Sequence, residues 1–252
     1  MKKLLLAVAV MVSALSSGAF AQWSNISVNA GANGFSNWTE SNTGTAGRFL
    51  GGSAPAGMNT WGAAGRNVSW GLWSQANATS ASIYTFSSTL PVGGYVEIDI
   101  SLGNINTGGT VGFGLQNSAG VNRFETYYIG SDSSNTFKLN DAGGQENITG
   151  VDTSFGSSSY GSGQFQTIRF TQGASNTYTL SFDGQNVSNS GLNITASDIN
   201  RIRIFNFSSQ TGGQNADQFF NNLDAVPEPS TYALLGLAAA GLGAHIIRRR
   251  RR

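Results

Sequence analysis

Apolar and polar side chains alternate along much of the chain with a period of two, the period of a β-strand with one buried and one solvated face. The clearest case is the segment YVEIDIS, in which Val96, Ile98 and Ile100 are separated by polar residues. Farther on, TYTLSF is followed by Asp183 and Gly184, a pair suited to the positive φ angles of a type I′ turn. The pattern therefore predicts strands joined by tight turns, with a hairpin at 183–184.

Ten runs rich in Val, Ile, Phe, Tyr, Trp and Thr follow one another between residues 67 and 223, separated by Gly, Asn, Ser and Asp. The predicted strands are Asn67–Trp73, Ser82–Leu90, Tyr95–Leu102, Thr110–Gln116, Arg123–Ile129, Thr136–Leu139, Gln164–Thr171, Thr177–Phe182, Arg201–Phe207 and Gln218–Leu223. Many short strands at this spacing predict an all-β antiparallel sandwich of the jelly-roll type.

Residues 22–60 are less regular, because Gly, Asn and Ser dominate the segment. They either form one or two outer strands that complete the sandwich or are partly disordered. The aromatic side chains Trp23, Phe35, Trp38 and Phe49 favour outer strands, since they provide more apolar surface than a linker needs.

The first 21 residues have the three parts of a secretory signal peptide. Lys2 and Lys3 form a basic start, the apolar run Leu4–Val12 follows, and the segment closes on a small-residue A-x-A site. We therefore expect signal peptidase to cleave between Ala21 and Gln22, and we call residues 22–225 the body.

The last 27 residues, 226–252, predict a membrane anchor. VPEPS cannot continue a strand ladder and predicts an extended spacer. The apolar segment Thr231–Ile247 has 17 residues, or about 25 Å as a helix, which is the short end of what spans a bilayer. A basic cluster follows and would stay on the cytoplasmic side, leaving the body outside. The cluster consists of Arg248, Arg249, Arg250, Arg251 and Arg252.

This arrangement resembles the PEP-CTERM sorting signal, in which a Pro-Glu-Pro motif, a transmembrane helix and a basic cluster end the chain. Pro227, Glu228 and Pro229 match the motif in order. The resemblance implies recognition by exosortase, a membrane-embedded cysteine peptidase that removes the anchor near the motif. It also implies a Gram-negative bacterium that makes extracellular polysaccharide, and release of the body to the cell surface or the matrix.

Composition excludes several functions for the body. Cysteine is absent from the chain, and the single histidine, His245, lies in the tail, so the body can have neither a Ser-His-Asp triad nor a histidine metal site. Two of the 14 basic residues lie at the start and five at the end, so seven remain in the body against twelve of the 13 acidic residues. A body with a net charge of −5 and scattered cations is not suited to nucleic acid.

Carboxylates are then the remaining candidate catalytic groups. Glu97 and Asp99 lie on one face of one predicted strand, in a segment that resembles the E-I-D-I-E core of laminarinase-like glycoside hydrolases. The resemblance implies Glu97 as nucleophile and Asp99 as its assistant, but Ser101 stands where the general acid/base would be. A retaining mechanism needs two carboxyl groups about 5 Å apart. We therefore interpret Glu97 and Asp99 as solvent-face strand residues.

Exposed aromatic side chains could instead bind sugar by stacking. Trp70 shares a face with Val68 and Leu72 and is predicted to be core, whereas Trp73 and one of the two adjacent tyrosines must face the other way. The candidate stacking residues are Trp73, Tyr127 and Tyr128.

Stretches such as VGFGLQNSAGVNRFETYYIG also resemble concanavalin-like lectin and glucanase sandwiches more loosely. Calcium is common in such folds. The segment with Asp132, Asp141 and Glu146 lacks the ligand spacing of an EF-hand, however, and is read as a polar loop, so no metal or cofactor is predicted.

The sequence thus predicts an exported, exosortase-sorted β-sandwich of the cell surface or matrix, non-enzymatic and either structural or bound to extracellular polysaccharide. The alternative is a glycoside hydrolase of laminarinase-like type that uses Glu97 and Asp99.

Overall fold

The computed structural model describes residues 26–51, 58, 60–61, 67–102, 105–132, 136–153, 165–208 and 218–226. The predicted signal peptide, its cleavage site and the segment from Pro227 to the last arginine lie outside these residues. Within the residues described, no helix is long and apolar enough to cross a membrane.

The described chain consists of strands with one short helix near its start. In chain order the elements are β1 (Ile26–Val28), α1 (Ala30–Asn33), β2 (Trp38–Glu40), β3 (Ala46–Gly51), β4 (Thr60–Trp61), β5 (Asn67–Ser74), β6 (Ala78–Thr85), β7 (Tyr95–Leu102), β8 (Thr110–Gln116), β9 (Asn122–Ile129), β10 (Lys138–Asp141), β11 (Gly144–Asn147), β12 (Gln166–Gln172), β13 (Tyr178–Phe182), β14 (Gln185–Asn186), β15 (Arg201–Ser208) and β16 (Gln218–Val226).

The strands form two antiparallel sheets. The nine-stranded sheet has the order β14-β13-β12-β7-β16-β5-β3, with β1 paired to β16 and β4 paired to β5. The seven-stranded sheet has the order β11-β10-β9-β8-β15-β6-β2. The inward side chains of both sheets join one hydrophobic cluster, so the all-β antiparallel sandwich predicted from the alternation is confirmed.

Each of the ten predicted strands corresponds to a strand of the structure, and Tyr95–Leu102 and Thr110–Gln116 have the predicted bounds. The second prediction, Ser82–Leu90, is displaced, because the strand is Ala78–Thr85. Its inward positions include Ala78, Ser80 and Ser82, all buried. Small and polar residues on the buried face hide the alternation that marks the other strands.

Close turns and deep burial fix the register of the sheets. Asp183 and Gly184 have φ angles of 48° and 79° and connect β13 to β14, as the predicted type I′ hairpin requires. Val96, Ile98 and Ile100 are fully buried on the inner face of β7. Burial of such a side chain contributes about 1.5–3 kcal/mol to stability. Trp70 is fully buried, as predicted, and its indole N–H donates to the carbonyl oxygen of Gly34.

A bulge in β16 connects the nine-stranded sheet to the N-terminal segment. The register of β16 against β7 shifts between Asn221 and Asp224, and Asn222 takes a left-handed φ of 50°. The fully buried Asn221 side chain accepts from Ala30 N at 2.8 Å and donates to Met58 O at 2.6 Å. The described part of residues 22–60 therefore contains strands paired to both sheets, the alternative that its aromatic side chains favour, and the Asn221 amide helps to hold this segment in place.

Candidate functional site

The outer faces of the two sheets are the candidate sites, because most of the sequence-predicted residues fall on them. We call the outer surface of the nine-stranded sheet face A and that of the seven-stranded sheet face B. The outward residues of β7 lie on face A, and those of β8, β9 and β15 lie on face B. The two faces are on opposite sides of the sandwich.

Glu97 on face A is already paired within the protein. Arg169 lies directly opposite Glu97 on β12, and its Nε donates to Glu97 Oε2 at 2.6 Å. The guanidinium also lies 4.2 Å from the centroid of the Tyr95 ring. The hydrogen bond to Glu97 raises the pKa of Arg169 above its ordinary value. Asp224 lies beside Glu97 on β16, and its charge also acts on Arg169 in the direction that raises the pKa of the guanidinium.

Asp99 is buried, so the prediction that it faces solvent is wrong; only 6% of its surface is exposed. Its carboxylate accepts from Thr167 Oγ1 at 2.6 Å and from Asn222 Nδ2 at 2.7 Å. Burial raises the pKa of Asp99 above its ordinary value, although these two hydrogen bonds oppose the rise. Asn222 reaches the carboxylate because of the β16 bulge, a non-local feature that alternation along β7 cannot reveal.

The rest of the predicted catalytic strand is also covered. Ser101, two residues beyond Asp99, is buried and lies opposite Phe219. Phe219 packs with Met58 and Phe49 in a small apolar cluster on face A. Trp73 lies on the same face, half-buried, where its indole packs over Gly47 of the edge strand β3.

Face B has a different construction, centred on two glycines of β8. Gly112 lies between Tyr127 on β9 and Phe205 on β15. Two residues along the strand, Gly114 lies between Glu125 on β9 and Arg203 on β15. Strands two apart in a sheet are separated by about 9.5 Å. The missing side chains on β8 therefore leave a strip of backbone over which the flanking side chains lean.

Glu125 and Arg203 approach each other over this strip without forming a close ion pair. The shortest distance between Arg203 Nη1 and Glu125 Oε1 is 4.0 Å. Asn122 Nδ2 donates to Glu125 Oε1 at 2.6 Å, and Asn140 Nδ2 donates to Glu125 Oε2 at 3.4 Å.

Burial acts on both of these groups in the direction that disfavours charge. It raises the pKa of Glu125 and lowers the pKa of Arg203. The Arg203 guanidinium rests 4.8 Å from the centroid of the Phe205 ring. Face B thus holds a carboxylate and a guanidinium whose charges are incompletely compensated by the protein.

The three predicted stacking residues do not come together. Tyr127 points outward on face B, but only 8% of its surface is exposed, because its ring packs with Ala81 and Phe205. Its hydroxyl donates to Gln145 Oε1 at 2.8 Å. Tyr128 points inward and packs on the core, with its ring 6.1 Å from that of Phe137. Trp73 lies on the opposite face.

Sequence reasoning missed the centre of face B, although a signal existed. In TVGFGLQ the inward positions are Val111, Phe113 and Leu115, and the outward positions between them are Gly112 and Gly114. Two outward glycines on a central strand indicate that neighbouring groups approach its backbone closely, and in the structure both glycines are buried beneath the side chains that flank them. Glu125 and Arg203 could not have been added to it, since only the pairing of β8 with β15 brings Arg203 beside Gly114.

The segment read as a polar loop is instead a β-hairpin in its described part, because β10 pairs with β11. Asp132 Oδ2 lies 3.3 Å from Lys138 Nζ. Asp141 accepts from the Tyr178 hydroxyl at 2.8 Å, and Glu146 lies exposed on β11. In the described part of the chain, no three acidic, histidine or cysteine side chains are grouped so that they could hold a metal ion.

Comparison with known proteins identifies the C-terminal segment. Residues 225–252 match the PEP-CTERM protein-sorting motif, and this match includes the Pro-Glu-Pro sequence and the arginine cluster. The chain therefore carries the sorting motif that its tail resembles. No curated protein matches the chain in sequence.

Solved structures resemble the body in fold. The globular domain of T. cruzi calreticulin has a TM-score of 0.52 at 11% identity, covering 91% of this chain and 99% of that one. A carbohydrate esterase of the Shiga toxin-encoding bacteriophage phi24B has a TM-score of 0.50 at 15% identity, covering 81% and 98%. A Bacillus licheniformis beta-glucanase has a TM-score of 0.45 at 14% identity, covering 80% and 98%. At these identities the resemblance concerns the sandwich fold alone.

Proposed function

We propose that this chain is an exported protein, sorted by exosortase to the cell surface or extracellular matrix, whose body is a non-enzymatic sandwich that binds polysaccharide through face B. The match of residues 225–252 to the PEP-CTERM motif supports the sorting half. The under-compensated Glu125 and Arg203 beside the glycine strip support the binding half.

Sugar hydroxyls both donate and accept hydrogen bonds, so they suit a surface of amides and partly paired charges. Around the strip, face B presents the amides of Asn122 and Asn140 to the carboxylate of Glu125. Arg203 has donors left over, because its contact with Glu125 is only 4.0 Å and it makes a cation–π contact on its other side. A ligand hydroxyl that accepts from Arg203 and donates to Glu125 would complete both groups.

Face A supports the alternative function, glycoside hydrolysis, less well than face B supports binding. Glu97 is bonded to Arg169, Asp99 is bonded to Thr167 and Asn222, and Ser101 stands in the position of the missing acid. The body is therefore proposed to act by binding alone. Hydrolysis of β-glucans that is abolished by Glu97→Gln would establish the enzyme instead.

Sorting is tested by the mass of the protein recovered from cells. The proposal expects a mature protein that begins at Gln22 and has lost the segment after the Pro-Glu-Pro motif, including Arg248–Arg252. Recovery of the arginine peptide on the mature protein would contradict removal of the anchor. Deletion of exosortase from the same cells should restore that peptide.

Binding is tested by retardation of the mature protein in gels that contain neutral or acidic polysaccharides, including the extracellular polysaccharide of the producing cells. Arg203→Met and Glu125→Gln should each reduce the retardation at least five-fold. Trp73→Ala, on face A, is the matched control and should leave it unchanged. If no polysaccharide retards the wild-type protein, the sugar-binding half is wrong and the structural role remains.

A further inference from the structure

Both ends of the folded body leave the sandwich at the same place. β1 and β16 are antiparallel neighbours, with Ile26 opposite Ala225, so the first described strand begins where the last one ends. Val226, the last residue of β16, is opposite Tyr95 at the start of β7. We call this end of the sandwich, where β16 leads into the Pro-Glu-Pro motif, the exit end.

The chain leaves little distance between the exit end and the proposed membrane segment. Residues 227–230 separate Val226 from Thr231, where the apolar segment begins. Five steps along an extended chain span at most about 18 Å. An anchored body is therefore held close to the bilayer, with its exit end nearest to the lipid.

One rigid turn at the exit end exposes an apolar side chain. Val92, three residues before Tyr95, is 60% exposed. Its turn is fixed because Gly94 N donates to Pro91 O at 2.9 Å and Gly93 N donates to Gln172 O at 2.7 Å. The exposure of Val92 is thus built into the fold.

A second rigid turn, between β8 and β9 of the other sheet, also exposes an apolar side chain at the exit end. Gln116, the last residue of β8, precedes this turn and lies opposite Arg201, and Arg201 lies opposite Thr85, the last residue of β6. Because the chain runs from Thr85 to Tyr95 at the exit end, the turn between β8 and β9 is at the exit end too. Val121 in this turn is 51% exposed. The Asn117 side chain accepts from Val121 N at 3.0 Å.

Arg201 braces this second turn from below. Its guanidinium donates to Asn117 O at 2.7 Å and to Ser118 O at 2.9 Å. Among the described residues, Val92 and Val121 are the two most exposed large hydrophobic side chains, and both lie at the end that faces the anchor.

We infer that the exit end is a membrane-contact surface, on which Val92 and Val121 rest against the lipid while the anchor is uncut. The inference depends on the proposed sorting function, because it needs the C-terminal segment in the bilayer. Isolated exposed valines are common on protein surfaces. Here two of them are held rigidly at the one end that a short spacer brings to the membrane, and tethering makes even a weak contact effective. The exposed faces A and B are then left perpendicular to the membrane and open to solution.

The absence of cysteine allows a direct test, since any introduced cysteine is the only thiol. The probe sites are Val92→Cys and Val121→Cys, with Ala76→Cys as the matched control. Ala76 is exposed in the β5–β6 turn at the opposite end. An eight-residue strand separates the two ends by about 25 Å. Each full-length, anchor-retaining variant is labelled with a fluorophore and reconstituted in phosphatidylethanolamine–phosphatidylglycerol vesicles that contain a headgroup-linked quencher.

The expected result is quenching at residues 92 and 121 that exceeds quenching at residue 76 by at least three-fold. Equal quenching at all three sites in protein that floats with the vesicles overturns the inference and leaves the sorting proposal intact. Emission changes that depend on protein density but not on the lipid quencher would identify a second copy as the occupant and also overturn it. Failure of the protein to float with vesicles would contradict anchoring itself, and the inference with it.

Discussion

Faces A and B each contain a carboxylate and an arginine near the middle of the sheet, yet the two pairs are in opposite states. On face A, Glu97 and Arg169 lie on adjacent strands and meet at 2.6 Å. On face B, Glu125 and Arg203 lie on strands two apart, with Gly114 between them, and stop at 4.0 Å. Because Gly114 separates them, Glu125 and Arg203 keep unused hydrogen-bonding capacity. Glu97 and Arg169, on adjacent strands, bond to each other directly.

The pKa shifts of the two arginines record the same difference. The pKa of Arg169 is raised by its bond to Glu97, while that of Arg203 is lowered by burial. A ligand that approaches face A must displace an existing bond. A ligand that approaches face B can add hydrogen bonds to Arg203, whose contact with Glu125 is no closer than 4.0 Å, and this is the physical basis for proposing the binding surface there.

The largest loss of stability is expected from a substitution in the glycine strip of β8. A Cβ on Gly112 would lie 2.1 Å from Thr126 O and 2.6 Å from Tyr127 Cα. Both are backbone atoms of β9, so they cannot move away without shifting the strand. Gly112→Ala should lower the free energy of unfolding by about 3 kcal/mol, as overpacking does. Gly114→Ala is the control, since its nearest neighbour is the flexible Glu125 side chain at 3.1 Å. Urea unfolding of both variants measures this, and equal losses would refute the assigned geometry of the strip.

The second-largest loss of stability is expected at Asn221, which bonds to the N-terminal segment. Asn221→Ala leaves Ala30 N and Met58 O without their buried partner. Because an unmet buried hydrogen-bonding group costs about 1–3 kcal/mol, we expect a loss of about 2 kcal/mol in unfolding free energy. Binding through face B should survive in the folded fraction. Urea unfolding measures the loss, and a value below about 0.5 kcal/mol would mean that the N-terminal segment does not depend on this amide.

Asp99 should make stability depend on pH. Its pKa in the folded protein is raised from 3.8, so the folded state binds this proton more tightly than the unfolded chain does. Stability from this group is therefore present below about pH 3.8 and is lost as pH rises through the folded pKa. Asp99→Asn can keep both hydrogen bonds without the charge, since the Thr167 hydroxyl can also accept. The variant should be more stable at pH 7 by up to about 1 kcal/mol.

The measurement is the difference in unfolding free energy between wild type and Asp99→Asn from about pH 3 to about pH 8, a range that brackets the titration of a raised carboxyl pKa. The stability of the variant relative to wild type should increase with pH. A variant that becomes less stable relative to wild type as pH rises would show that the carboxylate is favoured by its surroundings.

The smallest stability effects are expected at the carboxylates Glu97 and Glu125, which polysaccharide binding, rather than stability, should distinguish. Glu97→Gln weakens the bond to Arg169, but Arg169 is 43% exposed, so solvent screening limits the expected loss to about 0.5 kcal/mol. Glu125→Gln removes a partly buried, partly paired charge and should leave stability within about 0.5 kcal/mol of wild type. Polysaccharide binding should respond in the opposite order, with Glu125→Gln weaker and Glu97→Gln unchanged. The reverse ranking in binding would move the site to face A.

The sequence predicts these two faces unequally, and the reasons are physical. Local alternation was enough for β7, because Val96, Ile98 and Ile100 are all apolar and all buried. It failed at β6, where Ser80 and Ser82 occupy the buried face, and at Asp99, which is covered with the help of the distant Asn222. Face B was missed because Glu125 and Arg203 meet only through the pairing of distant strands with β8.

The most direct test of the central claim maps the ligand on the protein. Backbone amide spectra of the mature protein, titrated with a polysaccharide that retards it in gels, should shift first at Gly112, Gly114, Glu125 and Arg203 on face B. The amide resonances of residues around Trp73 and Glu97 should not shift. Shifts confined to face A, with none along the glycine strip, would contradict the account.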